Sequence, residues 1–235
     1  MIKTKLRGHG VFLTFAALAT LLFLGLGIWQ VQRLGWKLDL IARVDARVAA
    51  APMAAPGPDM WPTLTSDSNE YTPVTISGDY AQGQDTLVQA VTDLGGGFWV
   101  MTPLTTAEGW TVLVNRGFVA ADKRDDRPLP DGHVTVTGLL RMTQPGGAFL
   151  RDNDADADRW YSRDTAAIAG KLGLKDTAPY FIDAARMSDA QPVGGLTVVQ
   201  FRNNHLSYAL TWFAMAAGTV ALTFFALRRT AAGQK

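Results

Sequence analysis

The chain has 235 residues, 22 Lys and Arg against 21 Asp and Glu, and no cysteine. A net charge near zero does not point to nucleic acid, a partner that needs a clustered basic face. Without cysteine there are no disulfides, thiolate zinc sites, iron–sulfur clusters or cysteine nucleophiles, a composition that suits an oxidising compartment.

Lys3, Lys5 and Arg7 form a basic leader over residues 1–10. From Val11 to Gln32 the chain then carries no charge, and at about 1.5 Å per helical residue this run crosses a hydrocarbon core of about 30 Å. A cleaved signal peptide has a shorter apolar stretch, so the run reads as an uncleaved anchor. Trp29 and Trp36 sit near its outer end, where amphipathic rings favour the interface. Residues 33–62 read as a helical extension followed by a linker, because Ala51–Pro62 holds four prolines and cannot stay helical.

Residues 63–204 read as a mainly β domain with helical additions (α+β), a small barrel or curled antiparallel sheet. YTPVTISGDY, DTLVQAV, FWVMTPLTT, WTVLVNRGFV and HVTVTGLLRM mix β-branched and aromatic residues with partial alternation. Gly95–Gly97 and Glu108–Gly109 read as breaks between them. RDTAAIAGKLGL reads as a short helix with Asp164 as its cap, and APYFIDAA and GLTVVQF as two later strands. A second uncharged run, Leu206–Leu227, completes a span over 205–227 with a tail at 228–235. Tyr208 and Trp212 lie near its outer end. Arg228, Arg229 and Lys235 follow it, so the excess of basic residues predicts cytoplasmic termini and a central domain on the other side.

Of the three histidines, His9 falls in the leader and His133 follows a Pro-Asp-Gly turn. His205 stands at the outer end of the second span. Helical steps of three and four put it on one face with Tyr208, Ala209, Trp212, Ala216 and Thr219. A ring there either ligates a cofactor or snorkels into the headgroups. The first span offers Gly25, Trp29, Gln32, Arg33 and Trp36 as a matching face, with Arg33 and Lys37 placed to meet carboxylates; interfacial anchoring is the plainer reading of the same residues. The acidic string RDNDADAD (Arg151–Asp158) lacks the glycine and the terminal acid of a calcium loop. KRDDRPLPDG (Lys123–Gly132) reads as a charged surface contact. No nucleophile elbow, phosphate loop or dinucleotide fingerprint occurs.

Several strings resemble the surfeit-locus-one family of cytochrome c oxidase assembly factors over nearly the whole chain. They are GIWQVQRLGWK (27–37), TPL (102–104), VNRGFV (114–119), RPLPDGHVTVTGLLR (127–141), WYSRD (160–164), APYFIDA (178–184) and FRNNHLSYALTWFAMA (201–216). The resemblance implies two spans around a domain outside the cytoplasm, here in the periplasm at a bacterial inner membrane. It implies no enzyme but a chaperone that binds haem a transiently and helps insert it into the largest oxidase subunit, with haem a synthase a further partner and the bilayer its setting. It assigns the haem iron ligand to His205, and puts the family's tryptophan, glutamine and arginine of the first span on Trp29, Gln30 and Arg33. Tyr208 and Trp212 would pack on the macrocycle, and Arg33 or Lys37 would approach its propionates. The alternative is a scaffold that holds an oxidase intermediate without touching haem.

Overall fold

The computed structural model describes residues 2–148, 151–186, 191–197, 199, 201 and 203–232. The chain divides into two compact units, Met1–Arg43 with Gln200–Lys235, and Val44–Val199.

The first unit is built from two long helices, α1 (Ile2–Val48, whose last residues belong to the second unit) and a C-terminal helix, His205–Ala232. Both contain stretches long and apolar enough to cross a membrane. Large side chains such as Phe15, Leu21, Leu22 and Leu222 are exposed along them, as expected where lipid replaces water. Threonines inside the spans turn their hydroxyls back onto the helix: Thr14 donates to the carbonyl of Gly10, Thr20 to Ala16, Thr219 to Met215 and Thr223 to Thr219. Each polar group is satisfied locally, so it can be tolerated in hydrocarbon.

The second unit contains a closed five-stranded barrel. In chain order its elements are β1 (Met53–Ala54), α2 (Ser66–Asn69), β2 (Pro73–Tyr80), β3 (Thr86–Thr92), β4 (Gly95–Thr105), β5 (Thr111–Ala120), β6 (His133–Met142), β7 (Gly147–Ala148), β8 (Arg151–Asp152), α3 (Thr165–Leu172) and β9 (Thr177–Ala184); the C-terminal helix is α4. The sheet runs β2-β6-β9-β5-β4 and closes where Asp79 and Tyr80 of β2 pair with Thr105 and Leu104 of β4. β5 and β9 are parallel, while β6 lies antiparallel to both β2 and β9. β3 hangs on the outer side of β4, and β1 on β2.

Alternation sorts the side chains between two cores. Val112, Val114, Tyr180 and Ile182 join Val74, Ile76, Leu104, Trp110, Val136 and Leu140 in one cluster. The intervening Leu113 and Phe181 point the other way, onto Val88, Met101, Trp160 and Ile168 of α3. The Asp164 side chain accepts from the Ala167 N–H and caps α3, and Gly173 ends it in the left-handed conformation, the usual division of labour between helix ends. Burial pushes the Tyr80 phenol up to about 12, and the Tyr180 phenol is raised by burial as well.

Three expectations differ from the structure. Gly95–Gly97 do not break the chain but begin β4, and the β3–β4 turn falls at Asp93 and Leu94. A Cβ at Gly97 would collide with the carbonyl oxygen of Val119 and the Phe118 ring, so glycine permits the close pass of β5. The proline-rich segment expected as a linker carries β1 and a 3-10 turn, and lies on the barrel. Ala55 and Trp61 pack on its core, and the Tyr180 hydroxyl donates to the Pro56 carbonyl at 2.8 Å. In GLTVVQF, Val198 and Gln200 lie outside the described residues, and the others are not in a strand. Gly195 N–H donates to Ala184 O, and the Thr197 hydroxyl to Asp183; the segment is spent as a strap on the end of β9.

Candidate functional site

The two apolar helices meet along a seam read from four contacts. Phe23 stacks on Trp212 with centroids 5.8 Å apart. Gly27 is buried against the Phe213 ring, where an added Cβ would come within 2.5 Å of a ring carbon; glycine lets the helices approach. One step on, the Gln30 Oε1 lies 2.7 Å from His205 Nδ1. At the end of the seam the Lys37 ammonium sits 4.6 Å from the Phe201 ring centroid.

His205 is the first residue of α4, preceded by Asn203, whose Oδ1 accepts from the His205 backbone N–H, and Asn204. Asparagines at a helix start satisfy free backbone donors, so the sequence itself fixes where the imidazole emerges. Gln30 is buried, 8 % exposed, and His205 partly buried. Among the described residues nothing bonds to Nε2 of the ring. One nitrogen is held and the other is open, the arrangement a histidine needs as a ligand with its ring orientation set from behind.

The face expected for α1 is therefore corrected. It is not Gly25–Trp29–Arg33 that meets α4 but Phe23, Gly27 and Gln30, rotated around the helix. Gly25 has no atom near its missing Cβ. Trp29 and Tyr208 are about half exposed, and Arg33 is exposed with its guanidinium over its own Trp36 ring at 4.1 Å. On α4 the expected stripe holds better: Ala209 and Ala216 are buried and Trp212 half-buried. Cysteines placed at Phe23 and Trp212 in this cysteine-free chain are expected to crosslink readily, and cysteines at Trp29 and Tyr208 poorly. Crosslinking efficiencies in the reverse order would refute the seam.

A second polar cluster, buried in the barrel unit, was not anticipated. Asp183 of β9 is 4 % exposed. Its Oδ1 accepts from Asn115 Nδ2 at 2.7 Å and Arg163 Nη1 at 3.1 Å; its Oδ2 accepts from Arg141 Nη1 at 2.7 Å and the Thr197 hydroxyl at 2.8 Å. Arg141 Nε also donates to Glu70 at 2.7 Å. Burial acts against both guanidinium charges. It leaves Arg163 lowered despite the attraction of Asp183, whereas for Arg141 that attraction and the bond to Glu70 win and hold it raised. Two carboxylates balance two guanidiniums, and the Phe181 ring lies against both arginines. Such a fully bonded network specifies structure. Nothing in local spacing foretells it, because its members come from positions 70, 115, 141, 163, 183 and 197.

The remaining candidates have structural roles. Arg127 of the charged turn donates to Asp85 at 3.0 Å, and Arg116 donates to the Pro128 carbonyl, so this segment is tied to the barrel. In the acidic string Asp154 pairs with Arg159. Among the described residues no three His, Asp or Glu side chains converge as a metal site.

A β-barrel unit set in the chain between two helices apolar enough to cross a bilayer is the architecture of a membrane protein. Comparison with known proteins makes that class specific: residues 17–217 match the SURF1 family, and the chain belongs to this family, known as cytochrome c oxidase assembly factors. It is 36 % identical over 222 residues to Surfeit locus protein 1 of Rattus norvegicus, covering 85 % of this chain and 70 % of that protein. To Surfeit locus protein 1 of Homo sapiens it is 35 % identical over 223 residues, covering 85 % and 72 %. The SURF1-like protein of Monosiga brevicollis is 31 % identical over 244 residues, covering 95 % and 90 %.

Proposed function

We propose that this protein binds haem a through His205 and assists its insertion into the largest subunit of cytochrome c oxidase. It would work in a bacterial inner membrane, with both termini cytoplasmic and the barrel in the periplasm, beside haem a synthase as donor. The observation that carries the reading is the His205 ring: Nδ1 is engaged by Gln30 and Nε2 has no bond among the described residues. Bound haem a would supply an iron, and His205 would be the residue that holds it.

The residues present suit that group. Exposed aromatic faces at Trp29 and Tyr208 are available to a flat macrocycle or to lipid. Arg33 and Lys37 bring two cations to the same stretch of α1, where propionates could be met by charge-assisted bonds. Holding the iron through one imidazole would favour a metal that must later be given up. The test is the pigment of the protein purified from cells that make haem a. Acid-acetone extraction should yield haem a at a substantial fraction of one per chain. A colourless protein from cells with ample haem a would leave the scaffold role, and not this one.

A further inference from the structure

Gln30 occupies a place where metal-binding histidines commonly carry a carboxylate or a backbone carbonyl. An amide oxygen can only accept, so the 2.7 Å contact to Gln30 Oε1 places a hydrogen on Nδ1, and in the neutral ring the lone pair is then on Nε2. The amide is neutral, buried, and flanked along the seam by Phe23, Gly27, Trp212 and Phe213. Among the described residues no carboxylate reaches the ring. A carboxylate behind an imidazole pushes electron density toward its far nitrogen and strengthens the bond to metal, whereas an amide polarises the ring much less.

We infer that Gln30 is a positioning residue that selects the Nε2-donor form of His205 and, by being an amide, keeps its grip on iron weak enough for release. This rests on the haem reading of His205. The amide thus has two effects that packing alone would not have: it fixes a tautomer, and its chemical identity sets a dissociation rate.

Two substitutions separate those effects, Gln30→Glu and Gln30→Met. The first readout needs no haem. Nitrogen-15 NMR of the His205 ring in the apo wild type should show the hydrogen on Nδ1, and Gln30→Met should shift the ring toward a mixture of tautomers. A wild-type ring with its hydrogen on Nε2 overturns the inference. The second readout is transfer of bound haem from the full-length protein to apomyoglobin. Gln30→Glu should release haem roughly tenfold more slowly than wild type, and Gln30→Met roughly tenfold faster, within the range known for partners of metal ligands. Both variants releasing faster would reduce Gln30 to a packing residue and overturn the proposal. Equal release from all three would do the same while leaving the haem reading intact; a wild type that takes up no haem at all would overturn both.

Discussion

Replacing Asp183 with alanine is expected to lower the unfolding temperature of the protein in detergent by about 6–20 °C. Its two oxygens accept from Asn115, Arg141, Arg163 and Thr197, and its removal leaves two guanidiniums sharing one remaining carboxylate, Glu70. Breaking a buried pair by deleting one partner costs about 3–5 kcal/mol, a large part of the 5–15 kcal/mol that holds a domain together. For a chain of this size each kcal/mol is worth roughly 2–4 °C. Asp183→Asn keeps the shape and one acceptor but not the charge, and should fall between wild type and Asp183→Ala. Thermal unfolding followed by near-ultraviolet circular dichroism reports on the barrel aromatics Trp110, Trp160 and Tyr180. If the alanine variant melts with wild type, the network does not carry the stability assigned to it.

What could be read from the sequence is what period and composition encode locally. The two spans announce themselves as uncharged runs of membrane-crossing length. β2, β3, β5, β6 and β9 are legible because their strings concentrate β-branched and aromatic residues, as Val112, Val114 and Phe118 do in β5, and α3 because Asp164 caps it. The misplaced features depend on distant neighbours. Gly95–Gly97 look like a breaker until β5 passes beside them, and the proline-rich stretch looks like a linker until Tyr180 reaches Pro56.

The seam between the helices was legible in part for the same reason. His205, Gln30 and Trp212 are marked by strings shared with a family, and the structure brings His205 onto Gln30 and Trp212 onto Phe23. Which face of α1 turns inward was misjudged, because Trp29, Arg33 and Trp36 are more conspicuous than Phe23 and Gly27. In a helix pair within lipid, the small residue marks the seam better than the aromatic one. Aromatic and basic residues gather where the helix leaves the bilayer, whatever it packs against. The Asp183 network was invisible, since charges scattered through a β domain look solvated until the barrel closes around them.

The most direct measurement compares haem a per protein, and the Soret band, in wild type, His205→Ala and His133→Ala purified alike from haem a-producing cells. Imidazole offers iron a lone pair that alanine lacks, so His205→Ala should bind haem a more weakly by roughly a hundredfold, about 2.8 kcal/mol. Some pigment can persist by burial of its apolar ring and tail against the helices. His133 is the control: it opens β6, is exposed, and lies 3.6 Å from Asp79 in the barrel unit, so its loss should leave the spectrum and occupancy as they are. Both variants should reach the membrane in wild-type amounts, because the apolar runs that drive insertion are untouched. A His205→Ala protein that keeps wild-type occupancy and band position would contradict iron ligation by His205, and with it the proposal that this residue binds haem a.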